Sequence, residues 1–384
     1  MKKSFLDVSC SGSFYELGQD QGEFLRDQIS DIFKTLLTSE YVPALVRLAG
    51  PQFLKLVFNL QGASLRFPVV AAFKKQLPRQ WERLCGLAKG LGVSVHTLIG
   101  IARIETTAAQ FHFVMGCLSM AVAKEHSQNS SPLIAYNHDF PKMFRDQILV
   151  RRSNPQDGYA SIQMTYPLLA GAIAGINQKG VAVTLNHAYS QEPLGYFDTG
   201  IPPSWVVQEI LDLCDSVDDA ISIARNIRFG CGSLMTIMDR HGGMCVLEFS
   251  QNKFGVRKSQ DNFLLTLNAY QLKDLQTIEI PQEAKFDMKK TPKSFEGLFI
   301  HEHNWQRQKR CDDLSVNTKA WTLSELKDFL SDHNGMDTGS EGTICRHHPT
   351  SDTIASVILH PQEISMEISR GHACQAEYQK FFVK

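Results

Sequence analysis

The sequence predicts an α+β protein, and three observations carry that expectation. The first third spaces its apolar residues at helical intervals broken by prolines. Beyond Thr107, short runs rich in Val, Ile, Thr and Ala alternate with turn signals, and no repeat or low-complexity linker divides the chain. With 384 residues and 43% hydrophobic content the chain can bury a sizeable core, so one compact unit is expected.

Ser13 to Ile29 (SFYELGQDQGEFLRDQI) reads as a helix, with Gly18 and Gly22 four apart where bare Cα atoms permit another backbone to come close. From Pro43 to Leu98 the helical period continues, and Pro51, Pro68 and Pro78 mark breaks between several packed helices. After Thr107 the turn signals NSSP, NPQDG, NQKG and DRHGG punctuate candidate strands at Gly116–Ala123, Leu133–Asn137, Ala160–Thr165, Gly171–Ile176, Ala182–Asn186, Leu234–Met238, Met244–Phe249, Phe263–Asn268 and Ala355–Leu359. Helical patterns intervene at Pro203–Leu213, at Val217–Asn226 after the cap-like Asp215-Ser216, and from near Thr322.

Composition narrows the function. Lys+Arg at 39 against Asp+Glu at 40 leaves a formal charge of -1, so no global field draws the chain to nucleic acid or an anionic membrane. Apolar runs stay short of the roughly 18 residues a spanning helix needs; FLKLVFNL, for one, is interrupted by Lys55. No stable membrane insertion is expected. The opening MKKSFLDVSC meets charged and polar residues before a signal-length apolar run develops, so no export signal is expected. Nine cysteines without a CxxC pair fit reduced thiols better than a disulfide framework, and point to a cytoplasmic setting.

The chemistry centres on FHFVMGCLSMAVAKEHSQNSSPLIAYNHDF, which reads as strand, polar turn and returning strand. Gly116 before Cys117 leaves the carbonyl of residue 116 little obstructed, and Asn137 and Asp139 share a strand face that a hairpin brings to the Cys117 end. Spacing alone leaves a second account open, in which Cys117 is a buried core cysteine and Asn137-x-Asp139 ends a strand.

Several motifs taken in order are similar to one family. SGSFYELGQDQG, GCLSMAVA, IAYNHDFP, GINQKGVAVTLNHA, SVDDAISIARNI, MTIMDRHGGMCVLEFS, LLTLNAYQ, TICRHHP and GHAC cover most of the chain. They resemble the acyl-coenzyme A:isopenicillin N acyltransferase family of N-terminal-nucleophile (Ntn) hydrolases and, more remotely, the choloylglycine and penicillin V amidohydrolases. The resemblance implies a four-layer αββα sandwich and self-cleavage between Gly116 and Cys117. It divides the chain into a mainly helical N-terminal segment, residues 1–116, and a catalytic core, residues 117–384, held as one compact unit.

In that scheme Cys117 is the nucleophile, and its freed α-amino group, with an ordinary pKa of about 7.7–8.0, is the base, so no catalytic histidine is required. The resemblance implies that Asp139 holds the new amine, that Asn268 and a second asparagine, Asn186, stand on the oxyanion side, and that Arg346 favours the thiolate and orients Asp139 through a forked hydrogen bond. A surface arginine and a strand-ending asparagine are the competing accounts for Arg346 and Asn186.

The expected substrate is a small-molecule acyl amide or thioester, with the acyl group passing to water or an amine. No phosphate-cradling glycine loop argues for coenzyme A, and no cofactor is expected. No third ligand is evident near His347 and His348, so no metal site is expected from spacing. His112, His138 and His187 are given no role, and oligomeric state is left open. Two departures stand out: Met115 and Leu118 flank Gly-Cys where relatives carry Asp and Thr, and His138 stands where a Trp is common. The alternative is an uncleaved ligand-binding member of the same fold.

Overall fold

The computed structural model describes residues 5–38, 42, 44–107, 116–129, 131–192, 200–259, 261–287, 295–316, 318, 320–348 and 351–384, and not the side chains of 66–68. Pro43, His112, Met115 and part of the NSSP turn lie outside these residues.

The strands are β1 (Leu6–Gly12), β2 (Gly116–Val122), β3 (Leu133–Phe140), β4 (Leu149–Pro155), β5 (Ser161–Thr165), β6 (Ala174–Asn177), β7 (Ala182–His187), β8 (Ser233–Met238), β9 (Met244–Phe249), β10 (Phe254–Lys258), β11 (Phe263–Thr266), β12 (Asp352–His360), β13 (Ser365–Arg370) and β14 (Gln379–Phe382). The helices are α1 (Phe14–Leu25), α2 (Ile29–Leu37), α3 (Ala44–Ala49), α4 (Pro51–Ser64), α5 (Arg66–Gln76), α6 (Pro78–Leu91), α7 (Val95–Thr107), α8 (Pro203–Leu213), α9 (Val217–Arg225), α10 (Lys273–Gln276), α11 (Glu302–Ser315) and α12 (Leu323–Leu330).

Two sheets form. One has eight strands in the order β1-β4-β5-β6-β7-β8-β9-β10, and the other six, β11-β2-β3-β12-β13-β14. The pairing of β1 with β4 is parallel, from Leu6↔Leu149 to Gly12↔Pro155. The sheets face one another across a core to which Cys117, Ala121, Ile134, Tyr136 and Val357 contribute from the six-stranded sheet and Ile162, Ile176, Leu234 and Met238 from the eight-stranded one. On its other face the six-stranded sheet sets Leu118, Met120, Val122 and Ala135 against Cys311 of α11 and Leu326, Phe329 and Leu330 of α12. Helices α1 and α8 pack on the far side of the eight-stranded sheet, with α6 against both, completing the αββα layers expected from the resemblance.

Residues 5–107 are mostly helical, but β1 puts part of this segment into the eight-stranded sheet. Pro51 and Pro78 each open a helix, where a missing N–H costs nothing. The expected break at Pro68 falls at Leu65 instead, and Pro68 sits in the first turn of α5, where a missing donor is tolerated. The close approach expected at Gly18 and Gly22 is made to α6. A Cβ on Gly18 would run into Arg83 O, one on Gly22 would come 2.6 Å from Leu87 O, and Gly86 and Gly90 of α6 reciprocate against Tyr15 and Gln19 of α1. Under these helices Arg151 of β4 is fully buried and bonded by Gln163, Gln21, Gln208 and the Gly171 carbonyl, so neutral acceptors satisfy its fork.

Among the described residues no single helix is long and apolar enough to cross a membrane. One pair bent by 77°, Pro51–Ser64 with Val69–Gln76, passes by length and composition alone.

Candidate active site

Cys117 is the second residue of β2 and is 1% exposed. The register with β3 is Gly116↔Asp139, Cys117↔His138 and Leu118↔Asn137. Cross-strand partners share a face and neighbours alternate. Cys117 therefore looks into the space between the sheets with Tyr136 and His138, whereas Asn137 and Asp139 point the other way, toward α11 and α12.

The thiol has two polar neighbours on its own face. Tyr136 Oη donates to Cys117 Sγ at 3.1 Å or to Leu185 O at 2.8 Å, and lies 3.0 Å from His138 Nδ1. His138 Nδ1 stands 3.6 Å from Sγ, and its Nε2 is 2.7 Å from Tyr166 Oη. Burial, with the Asp139 charge adding to it, pushes the Cys117 thiol up to about 12 against the Tyr136 hydrogen bond. Burial pushes His138 down to about 3 and His187 down to about 4, so both imidazoles are neutral near pH 7. In the uncut chain the thiol keeps its proton, and no charged imidazole is at hand to form an ion pair with it.

Asn268 follows β11 and reaches the backbone of the same residue: its Oδ1 accepts from the Cys117 N–H at 2.9 Å, while Nδ2 donates to His187 O at 2.8 Å. Asn186 lies on β7 across the gap. Its Oδ1 accepts from Ser119 Oγ at 2.7 Å, and Nδ2 donates to Thr266 O and Leu267 O at 3.1 and 3.2 Å. Both amide hydrogens of Asn186 are thus spent on carbonyls, and as placed it ties β7 to β2 and β11.

Asp139 is fully buried opposite Gly116. Its Oδ1 accepts from Thr353 Oγ1 at 2.6 Å, and its Oδ2 lies 2.9 Å from Arg307 Nη1. That pair is close but not aligned for hydrogen bonding, and Oδ2 accepts no hydrogen bond among the described residues. Arg346 is buried beside them, and a Cβ on Gly116 would overlap its Nη1 and stand 3.0 Å from Asp139 Oδ2. The fork that orients Asp139 was expected from Arg346; the carboxylate is instead paired with Arg307 of α11, because Arg346 Nη2 is drawn 2.7 Å from Glu341 Oε1.

Sequence reading missed Tyr136, Arg307, Thr353 and Glu341 and gave His138 no role. The period of two in Tyr136-x-His138 was a usable signal for the thiol's neighbours, once Cys117 is set opposite His138. Arg307 had none, since EHNWQRQKR reads as a solvated helix.

A cavity of about 140 Å³ has His138, the neighbour of the thiol, in its wall together with His187 and Tyr166. The rest is largely apolar: Ile32 and Leu36 come from α2, Ile101 and Ile104 from α7, and Phe140 and Phe144 from the end of β3 and the turn that follows it. One carboxyl, Glu105, enters this lining and accepts from Ser204 N and Oγ at 2.7 and 2.5 Å.

A family model described as acyl-coenzyme A:6-aminopenicillanic acid acyl-transferase matches residues 126–372, a span that starts after Cys117 and takes in Asp139, Asn186, Asn268 and Arg346. No curated protein matches the chain. Among solved structures, an N-acylethanolamine-hydrolyzing acid amidase ortholog of Caenorhabditis elegans is 13% identical, with a TM-score of 0.42, covering 64% of this chain and 93% of its own. A single-substitution variant of a conjugated bile acid hydrolase from Clostridium perfringens is 14% identical, with a TM-score of 0.39 and coverages of 70% and 97%. Penicillin V acylase from Agrobacterium tumefaciens is 12% identical, with a TM-score of 0.38 and coverages of 69% and 86%. With nearly two thirds of its length matched by that model, the chain belongs to the acyl-coenzyme A:6-aminopenicillanic acid acyl-transferase family.

Proposed function

We propose that the protein is a self-processing cysteine Ntn hydrolase or acyltransferase that removes an apolar acyl group from an amide or thioester through a Cys117 acyl-enzyme. The observation that carries the reading is the convergence on one peptide bond. Asn268 holds the Cys117 N–H at 2.9 Å, Asp139 stands opposite Gly116, Arg346 Nη1 abuts Gly116, and an apolar cavity shares His138 with the thiol.

In processing, the Cys117 thiol attacks the Gly116 carbonyl. The C–S bond forms as the C–N bond breaks, the thiol proton passes to the departing nitrogen, and water opens the thioester. Residues 1–116 then end in a carboxylate, and residues 117–384 begin with a free amine beside a thiol. That amine, near pKa 7.7–8.0 when unperturbed, accepts the thiol proton during attack on substrate and returns it to the leaving group. Asp139 holds the ammonium form, and Arg346 keeps a positive charge near the developing thiolate. The Asn268 amide is the oxyanion donor, while Asn186 positions the strands around it.

Hydrolysis is favoured over transfer, because water is always an available acceptor and no acceptor-specific motif is present. All nine cysteines are free, which supports a reducing, cytoplasmic setting. The test is the denatured mass of wild type beside Cys117→Ala. The wild type is expected to split after residue 116 of its 384 into pieces of 116 and 268 residues, the larger starting at Cys117, and the variant to stay whole. A folded, reduced wild type that remains one chain would exclude the mechanism and favour an uncleaved binding protein.

A further inference from the structure

Folding assembles a second cluster of reactive side chains away from the Cys117 thiol. The segment between α12 and β12 carries His333, Cys345 and His347, and the turn after β13 carries Cys374. The donor atoms of these four residues all lie within 4.8 Å of one another. Cys345 Sγ and Cys374 Sγ are each 3.5 Å from His347 Nε2. The His333 ring meets that of His347 edge-on, with centroids 4.8 Å apart, and its Nε2 is buried without a hydrogen-bond partner among the described residues.

Hydrogen bonding explains this arrangement poorly. One imidazole Nε2 offers either one lone pair or one N–H, yet two sulfurs share it while another buried ring nitrogen has nothing. A tetrahedral ion explains it better: metal–sulfur bonds of about 2.3 Å and metal–nitrogen bonds of about 2.0–2.1 Å place neighbouring S and N atoms about 3.5 Å apart. We propose that His333, Cys345, His347 and Cys374 bind one zinc ion as a closed Cys2His2 site. Two thiolates and two imidazoles are the donor set that selects zinc, and four protein ligands make the site structural rather than catalytic. Binding displaces the two thiol protons to solvent, so the two sulfur charges balance the dication.

The surroundings suit ligands held in place. The Cys345 N–H donates to Asp332 O at 3.0 Å, and His372, 2.6 Å from Asp352 through its Nε2, stacks on His347 at 3.7 Å between centroids. The ligands are separated by 11, 1 and 26 intervening residues, a pattern unlike sequential zinc-finger spacing. His348, next to His347 in sequence, turns instead toward Glu341, 3.7 Å away. Cys345 and His347 flank Arg346, so the ion pins the loop that sets this arginine against Gly116 and ties that loop to the end of β13.

The experiment is elemental analysis of the full untagged chain purified without chelators, followed by exchange of its metal for cobalt(II). About one zinc per chain is expected in wild type and equally in Cys117→Ala, which separates this site from the fate of the nucleophile. The cobalt form should show a thiolate-to-metal charge-transfer band, and Cys345→Ser/Cys374→Ser should lose both metal and band. If that double variant does not fold, the wild-type stoichiometry and cobalt spectrum still decide. A metal-free wild type that takes up no cobalt overturns the proposal. So does a mass lower by two hydrogens with a Cys345–Cys374 linked peptide, or zinc retained by the folded double variant.

Discussion

Replacing Asp139 by Asn tests the electrostatic centre of the site. The carboxylate and its partner Arg307 are both fully buried, 2.9 Å apart, with the buried Arg346 close by. At an effective dielectric constant of about 20, two unit charges at that distance attract by roughly 6 kcal/mol, part of which is offset by the cost of desolvating the carboxylate. Asn keeps the shape and can still accept from Thr353, so neither a cavity nor the loss of that hydrogen bond enters. What remains is an uncompensated buried guanidinium, expected to cost about 3–5 kcal/mol. The measurement is denaturant unfolding in a Cys117→Ala background, where chain cleavage cannot intervene, with the slope checked for constancy. Combining Asp139→Asn with Arg307→Met should recover much of the loss, because both charges then leave the interior. A loss below about 1 kcal/mol, or additive effects of the two substitutions, would refute the claim that this pair dominates.

Three further outcomes are expected. Asn268→Ala should fold and yet lose turnover on the order of 10²–10³-fold, the usual effect of removing one oxyanion donor; a near-normal kcat would take Asn268 out of the site. Gly116→Ala places a Cβ against Arg346 Nη1, and overpacking of about 1–3 kcal/mol should slow self-cleavage roughly tenfold, followed as the disappearance of full-length chain by mass. Burial lifts the Glu105 carboxyl from its ordinary 4.5 to about 7, although Ser204 hydrogen bonds oppose the shift. Native Glu105 therefore holds its proton more tightly than the unfolded chain does. Its contribution to stability, about 3 kcal/mol, is whole below about pH 4.5 and is lost as pH rises to about 7. Glu105→Gln should flatten unfolding free energy across that window, and an unchanged slope would place the titration elsewhere.

Much of the frame was legible where burial followed a simple period. Met244–Phe249 and Pro203–Leu213 fall on the expected bounds, since both are apolar runs closed by clear breakers. The hairpin logic also brought Asp139 to the Cys117 end of β2, where the register sets it opposite Gly116. Strands β1 and β4 escaped notice because Asp7, Arg151 and Arg152 interrupt the apolar pattern; Arg151 is buried only because glutamines and carbonyls from several elements accept its hydrogen bonds. Helix α11 is polar along most of its length, yet it delivers Arg307 to Asp139. Such residues are placed in part by partners far along the chain, Gln21 for Arg151 and Asp139 for Arg307, and no local window holds that information. Which face of β3 meets the thiol was likewise decided by register, which sets His138 rather than Asp139 opposite Cys117.

The interlock of Gly18 and Gly22 with Gly86 and Gly90, and the pairing of β1 with β4, have a thermodynamic corollary. The first of these joins two parts of the same N-terminal segment, while the second crosses the Gly116–Cys117 bond. If that bond is cut as proposed, the two pieces form a heterodimer whose subunits share one sheet and together line one cavity. Melting of the cut enzyme then becomes a dissociation, so its Tm climbs with protein concentration, whereas that of the uncut chain stays fixed.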